Sequence, residues 1–358
     1  MTERMEVWRL EPANRGSAHP RFGISPPATR DVGAPIPQIQ AASVKLSIPD
    51  KARRLYLLRS LLAPAVSTRW SRFIHDFHRD AGAAGPVARV LAKPLRNYVH
   101  RAYWPRRRLN LLLEHYHWFG ALFSRDFIRR ICSEEALSVV TLQGRRDRRY
   151  QIFVVASVTA IMQREGELAI FLARGPNEPK LCRLSLCFAE VRGRLSMVIG
   201  GIQGPLTSHK REVIDATRDL HGLRPKDAVL LAARAMAQAL GLKDVHAVSD
   251  ANHVLRRLQD KSKFSNYDAY WLERGGEAGD PFGFVFGPLA PFEVASDKRE
   301  GVKSAIVESM SAFVDGHRGP SVPLAPRPQA REAGAGGDSL PVPVVSLTSS
   351  AGRAKNSP

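Results

Sequence analysis

The chain is poor in cysteine and has no apolar run long enough to cross a bilayer. Three cysteines in 358 residues, Cys132, Cys182 and Cys187, cannot build the disulfide framework of a small secreted domain. Cys182 and Cys187 lie five apart in a segment that reads as a strand, so their side chains point to opposite faces and share neither a bond nor a metal. No segment approaches the ~20 apolar residues of a spanning helix. Met1 to Leu10 also lacks the apolar run of a signal peptide. The sequence therefore reads as cytosolic, with any membrane contact made peripherally, from inside, at the inner membrane.

Other signatures are missing too. His75 and His78, and His115 and His117, have no Cys or carboxylate at a ligand spacing, so no metal is assigned. No glycine-rich stretch has Walker A spacing with a Lys-Ser/Thr ending. No Ser, Cys or His sits in a nucleophile-elbow context. No repeat of 20 to 50 residues is visible.

Acid is scarce in one region. Residues 51–130 hold 17 Lys and Arg against 4 Asp and Glu, most of the imbalance behind a net charge of +19. Such a block attracts polyanions: an anionic membrane surface, an acidic partner or, with less support, nucleic acid, for which no known signature is present. General surface basicity also accounts for it.

What is present is a body 44% hydrophobic between two ends rich in Pro, Gly, Ala and Ser. Residues 1–48 and 318–358 read as disordered. Between them lie a basic helical region, 50–132, and an α+β core, 133–315.

In the helical region Leu55, Leu58, Leu61 and Leu62 form one stripe, and Ser67-Thr68 caps a second helix with Trp70, Phe73, Ile74 and Phe77. A third helix follows Pro105. Its opening Arg106, Arg107 and Arg108 oppose the helix dipole, so something anionic should offset them.

From residue 136 the period becomes two. Strands are expected at 137–143, 149–160, 167–173, 181–189 and 194–200, and their short connections imply an antiparallel meander. Helices follow at 208–220, capped by Gly222, and at 225–240, opened by Pro225 and closed by Gly241. A strand at 244–248, a short helix at 251–258 and a strand near 267–273 complete an α+β fold.

Ile199-Gly200-Gly201-Ile202-Gln203-Gly204-Pro205 reads as a glycine-dense turn after a strand. It can cradle a phosphate on backbone N–H groups with Gln203 as donor, and Arg224 and Lys226 at the next helix start can add charge. Tight-turn geometry alone explains the glycines as well. The layout resembles that of acetyl-CoA-dependent acyltransferases, although the spacing is not their glycine signature; on that comparison a CoA thioester is the candidate cofactor. Glu165 and Glu167 flank Gly166 and as i, i+2 neighbours share a face, where one can act as an acid or base; solvation or pairing with Arg164 is the alternative. His221 at a helix end is a further candidate base, or a favourable charge at that end. Asp250 is read as an N-cap.

Several stretches in order resemble the VirK/YbjX family of bacterial proteins. They are Glu114-His115-Tyr116, Arg164-Glu165-Gly166-Glu167-Leu168, Leu184-Ser185-Leu186-Cys187-Phe188, the glycine segment, and Gly222-Leu223-Arg224-Pro225-Lys226. Val248-Ser249-Asp250-Ala251-Asn252-His253 and Tyr267-Asp268-Ala269-Tyr270-Trp271 follow. The resemblance spans about residues 85–299. It implies a role in virulence and in envelope or surface properties, without a defined reaction. The chain departs from the family after Ser296-Asp297-Lys298-Arg299, where Glu300-Gly301-Val302-Lys303 replaces a basic, tyrosine-containing run. Three readings result: a cytosolic protein supporting envelope adaptation through an anionic ligand, lipid or partner; an acyl-CoA-type transferase; and a nucleic-acid binder.

Overall fold

In the computed structural model the described residues are 58, 60–205, 209–255, 266–289 and 297–319. The expectations for 1–48 and 320–358 fall outside them, and the described residues all belong to one unit, Pro49–Pro358.

The helical region supplies α1 (Pro64–Ala81), α2 (Ala88–Leu91), α3 (Pro105–Leu122) and α4 (Arg125–Cys132), with a 3-10 turn at Lys93–Leu95. Helix α1 begins at Pro64, so Ser67-Thr68 is interior and not a cap; proline at the first helical position suits its fixed φ and missing N–H. Its apolar residues are as expected: Trp70 and Ile74 are fully buried. The preceding leucines are not packed. Leu58, Leu61 and Leu62 are exposed, and Leu55 lies outside the described residues.

The meander forms as the alternation predicts: β1 (Leu137–Gln143), β2 (Arg149–Ala156), β3 (Leu168–Ala173), β4 (Cys182–Val191) and β5 (Arg194–Gln203). Strand β2 stops at Ala156, four residues short of the expectation, because a tight turn begins at Ser157. Helices α5 (Lys210–Asp219) and α6 (Pro225–Ala239) follow, then β6 (Val245–Val248). Gly222 and Gly241 both take the left-handed backbone that ends a helix.

Beyond β6 the expectations change. Residues 251–255 form turns, not a helix, and 256–258 lie outside the described residues. The 267–273 segment is a helix, α7 (Tyr267–Glu273), not a strand. Asn266 caps it by accepting from the Ala269 N–H. Tyr267, Tyr270 and Trp271 are buried at i, i+3 and i+4, a helical spacing that their aromatic character obscured. A hairpin of β7 (Glu277–Gly279) and β8 (Gly283–Phe286) and a long α8 (Lys298–Gly316) were not anticipated.

The strands make one eight-stranded sheet in the order β1-β2-β3-β4-β5-β6-β8-β7. Every neighbouring pair is antiparallel except β5 and β6. That pair is parallel only from Met197–Val245 to Ile199–Ala247, so β5 runs on alone beyond Ile199 on that side. Helix α3 packs on β4, α6 on β3 to β5, and α8 on α6 and β1. One hydrophobic core joins the helical region to the sheet: Trp70, Tyr116 and Phe119 belong to the same cluster as Ile170, Leu186 and Ile199. The fold is α+β.

Candidate functional site

The glycine segment is not a turn. Strand β5 continues through Gly200 and Gly201 to Gln203, with a bulge: Ser185 pairs with Gly201 and Leu186 with Ile199, leaving Gly200 as the extra residue. What approaches these glycines is the chain's own loop between β2 and β3. A Cβ on Gly200 would stand 1.8 Å from the Glu165 carbonyl oxygen, and one on Gly201 would stand 2.6 Å from Glu165 Oε2. The expected phosphate cradle at Gly200 and Gly201 is therefore corrected: Glu165 fills that space.

Two strained residues bracket this loop's placement. Ile161 and Val99 hold φ of 60° and 53°. Left-handed backbone costs a β-branched residue on the order of 1–3 kcal/mol and persists only when neighbours enforce it. Val99 N–H donates to Arg164 O at 2.8 Å, and Arg101 N–H to Asn252 O at 2.9 Å. The 98–101 segment thus ties the Glu165 loop to the turn carrying His253.

Glu165 and His253 are both buried. Glu165 Oε1 accepts from Gln203 Nε2 at 2.7 Å and meets His253 Nε2 at 3.0 Å. His253 Nδ1 accepts from the Leu255 N–H, so its Nε2 carries the proton that faces Glu165. Oε2 of Glu165 is buried with no hydrogen-bond partner among the described residues. Tyr267 packs edge-on to His253 with centroids 5.0 Å apart. Its hydroxyl donates to Ile202 O at 2.8 Å and accepts from Ile202 N at 3.2 Å, occupying the backbone groups of β5 that β6 leaves unpaired. Burial first, and the Glu165 charge second, hold the Tyr267 phenol far above its ordinary value, so it stays a donor. Asp250 caps α7 rather than a helix of its own, accepting from the Tyr267 N–H at 3.0 Å.

Glu167 is buried as well, but with separate partners. Its Oε1 is 2.7 Å from Lys93 Nζ and its Oε2 accepts from Tyr116 at 2.8 Å. Lys93 also reaches Ser157 Oγ and Gly166 O at 3.4 Å. The expected carboxylate pair on one face is thus two single carboxylates, neither solvated. Arg164 Nε points to Asn97 O. Burial raises the thiols of Cys132 and Cys182 to about 12, which leaves them unreactive.

His221 stands apart from both. It takes left-handed backbone just past α5, and its Nδ1 accepts from Arg145 Nε at 2.8 Å. One histidine of each pair is structural: His115 accepts from Phe188 N–H and stacks between Phe119 and Phe188, and His78 bonds Ala84 O, whereas His75 and His117 are exposed. Among the described residues no three His, Cys, Asp or Glu gather where a metal could bind.

The remaining candidates meet in a cavity of about 510 Å³. Gly204 and Pro205 leave β5 along one wall, Val213, Ile214, Thr217 and Arg218 of α5 form a second, and Arg224, Pro225 and Lys226 open α6 at the third. Lys226 Nζ lies 4.0 Å from the Tyr270 ring centroid and 5.6 Å from that of Tyr267. Burial holds its pKa below the ordinary lysine value. Arg224 is 3.6 Å from Glu273 at an exposed position, a weak contact. The arrangement combines an apolar wall, three cations and a helix start whose free N–H groups favour anions. It also borders the buried cluster: Gln203 adjoins Gly204, and Lys226 covers Tyr267. Sequence reasoning found Glu165, Gln203, Gly204, Arg224 and Lys226, weighed Tyr267 only as core or as a stacking aromatic, and assigned no role to His253 or Lys93. The order of the family stretches was the available signal, since four of them converge on Glu165.

A family model described as "Protein of unknown function (DUF535)" matches residues 49–301. The chain is 26% identical over 229 residues to "Uncharacterized protein YbjX" of Escherichia coli (strain K12), covering 63% of this chain and 68% of that relative. Among solved structures, a cAMP-binding acyltransferase from Mycobacterium smegmatis overlaps at a TM-score of 0.24 and 9% identity, over 56% of this chain and 60% of that one. A mutant of the same acyltransferase overlaps at a TM-score of 0.25 and 10% identity. The chain thus spans about three-fifths of that acyltransferase's length, at an overlap too low to relate the two. With most of its length matched by the family model, and with those stretches in order, the protein belongs to the DUF535 family of unknown function, the family of VirK and YbjX.

Proposed function

We propose that this chain binds a phosphate-bearing ligand with an apolar part, in the cavity between the end of β5, α5 and the start of α6. One observation carries the reading: a cavity of about 510 Å³ joins Arg218, Arg224 and Lys226 to Leu181, Val213 and Ile214. Cations over an apolar wall suit an anionic headgroup attached to a chain or ring. Two sources share that chemistry, a CoA thioester and a phospholipid. In a family tied to virulence and envelope properties, such a protein would support surface adaptation from the cytoplasm. Among the described residues no helix is long and apolar enough to cross a membrane.

The test is thermal stability of the full chain with acyl-CoA, free CoA and a short-chain phosphatidic acid in separate arms. A ligand at 100 times its dissociation constant adds about 2.7 kcal/mol, a rise of several degrees. The Arg224→Ala/Lys226→Ala double variant should lose that rise while melting near the wild-type temperature. A flat response to all three compounds would overturn the reading.

A second reading, acyl transfer, is favoured by the parallel β5–β6 pairing that ends just before the cavity, with a buried carboxylate and imidazole beside it. There Glu165, whose Oε2 is buried with no hydrogen-bond partner among the described residues, is the base and His253 the group that orients it, while His221 has no part. Release of free thiol from acyl-CoA as the acyl group passes to an added amine acceptor, lost in Glu165→Gln, would support it. Tight binding with no thiol release would leave the binding reading alone.

A further inference from the structure

Among the described residues Arg106 and Arg107, which open α3, form no ion pair, although Arg107 borders a cavity that Glu190 and Asp280 also line. The first turn of α3 contains no acidic residue. From Ala81 to Leu113 the chain carries seven Lys and Arg and no Asp or Glu. Arg106 and Arg107 are exposed, Arg101 is half-buried, and among the described residues none of the three forms an ion pair. Arg107 lies over the Tyr103 ring at 5.5 Å, and Tyr103 in turn stacks on His100 at 4.4 Å. Between Arg101 and Arg106 in the chain stands Trp104, 81% exposed and the most solvent-open large apolar side chain described. Its indole makes no ring contact and is not packed among the described residues, so it stands in water beside arginines.

We infer that Trp104 with Arg101, Arg106 and Arg107 is a docking surface for an anionic lipid bilayer. Charge complementarity and the ring's chemistry choose this occupant. An indole with an apolar body and a polar N–H settles at the headgroup boundary, while neighbouring guanidinium groups bind lipid phosphates. The bilayer also supplies negative charge beside Arg106 and Arg107 at the positive end of the α3 dipole. A nucleic acid is less well matched. Single-strand binding uses successive exposed rings, whereas here one ring is free and Tyr103 is committed to His100. The surface is also fixed in place: Arg101 N–H is bonded to Asn252 O, in the turn that carries His253. This inference does not depend on what the cavity binds.

Sedimentation of the full chain with vesicles tests it. Binding is expected with equal parts phosphatidylglycerol and phosphatidylethanolamine, absent with phosphatidylcholine, and weakened by salt. The double variant Arg106→Glu/Arg107→Glu should bind at least about tenfold more weakly, at roughly fivefold per basic residue lost. Trp104→Ser should weaken binding several-fold, and Trp104→Phe should lose the part of the fluorescence blue shift that the indole contributes. All of these side chains are exposed or half-buried, so the variants should melt with the wild type. Three outcomes would overturn the inference: binding indifferent to phosphatidylglycerol, wild-type binding by Trp104→Ser, or tight salt-sensitive binding to single-stranded RNA with none to vesicles.

Discussion

Gly200 and Gly201 lie beneath Glu165, whereas Gly204, on the same strand end, faces a cavity of about 510 Å³. The first two are glycine because the Glu165 backbone at Gly200 and its carboxylate at Gly201 leave no room for a Cβ; among the described residues nothing lies within 4 Å of a Cβ placed on Gly204. One glycine-rich segment therefore does two jobs. Its sealed part holds a buried carboxylate, and its open part forms the wall of a site. The sealed side includes the Lys93–Glu167 pair and His115; the open side includes Arg218, Arg224 and Lys226.

That contrast can be broken, most severely through Lys93. Lys93→Met leaves Glu167 buried without its cation, and removal of one partner of a buried pair costs about 3–5 kcal/mol. Urea denaturation should show that loss, and a change below ~1 kcal/mol would mean that Lys93 is not sealed in. Gly200→Ala should cost about 3 kcal/mol, at the upper end for overpacking, because its new methyl meets a backbone carbonyl that cannot turn aside.

The sealed side also sets a pH dependence. Burial, with Lys93 second, holds His115 well below 6.5, and burial likewise lowers His78, His100, His246 and His317. The unfolded chain then binds more protons than the folded one below pH 6.5. Stability is complete above that value and falls as the pH drops toward the depressed folded values. The slope should approach about 1.4 kcal/mol per pH unit for each fully buried imidazole. Melting temperature measured from pH 7.5 downward should show it, and a profile flat to pH 5 would contradict it. The smallest effect belongs to the open side: Gly204→Ala should stay within about 0.5 kcal/mol of wild type in the same urea assay while altering ligand response.

Much of the fold was legible because its signals are local. Alternation placed β1 to β5 within a few residues, Pro105 and Pro225 opened α3 and α6, and Gly222 and Gly241 closed α5 and α6. The errors have local causes as well. Aromatics in Tyr267–Trp271 look like a strand until their spacing is counted, and Ser67-Thr68 looks like a cap only if Pro64 is passed over. The site was legible in its members but not in its geometry. Gln203 and His253 reach Glu165 from 38 and 88 positions away, and Lys93 reaches Glu167 from 74.

By itself the sequence determined roughly where β1 to β6, α5 and α6 lie, which family the chain resembles, and where its positive charge collects. Those properties depend on backbone preferences, side-chain periodicity and residue counts, all written in neighbouring positions. Only the tertiary structure decided that Glu165 fills the space over Gly200, that Gly204 opens to a cavity, and that Trp104 stands in solvent. Burial is set by what distant segments place on a residue, and a carboxylate's partners here come from loops that meet only when the sheet assembles.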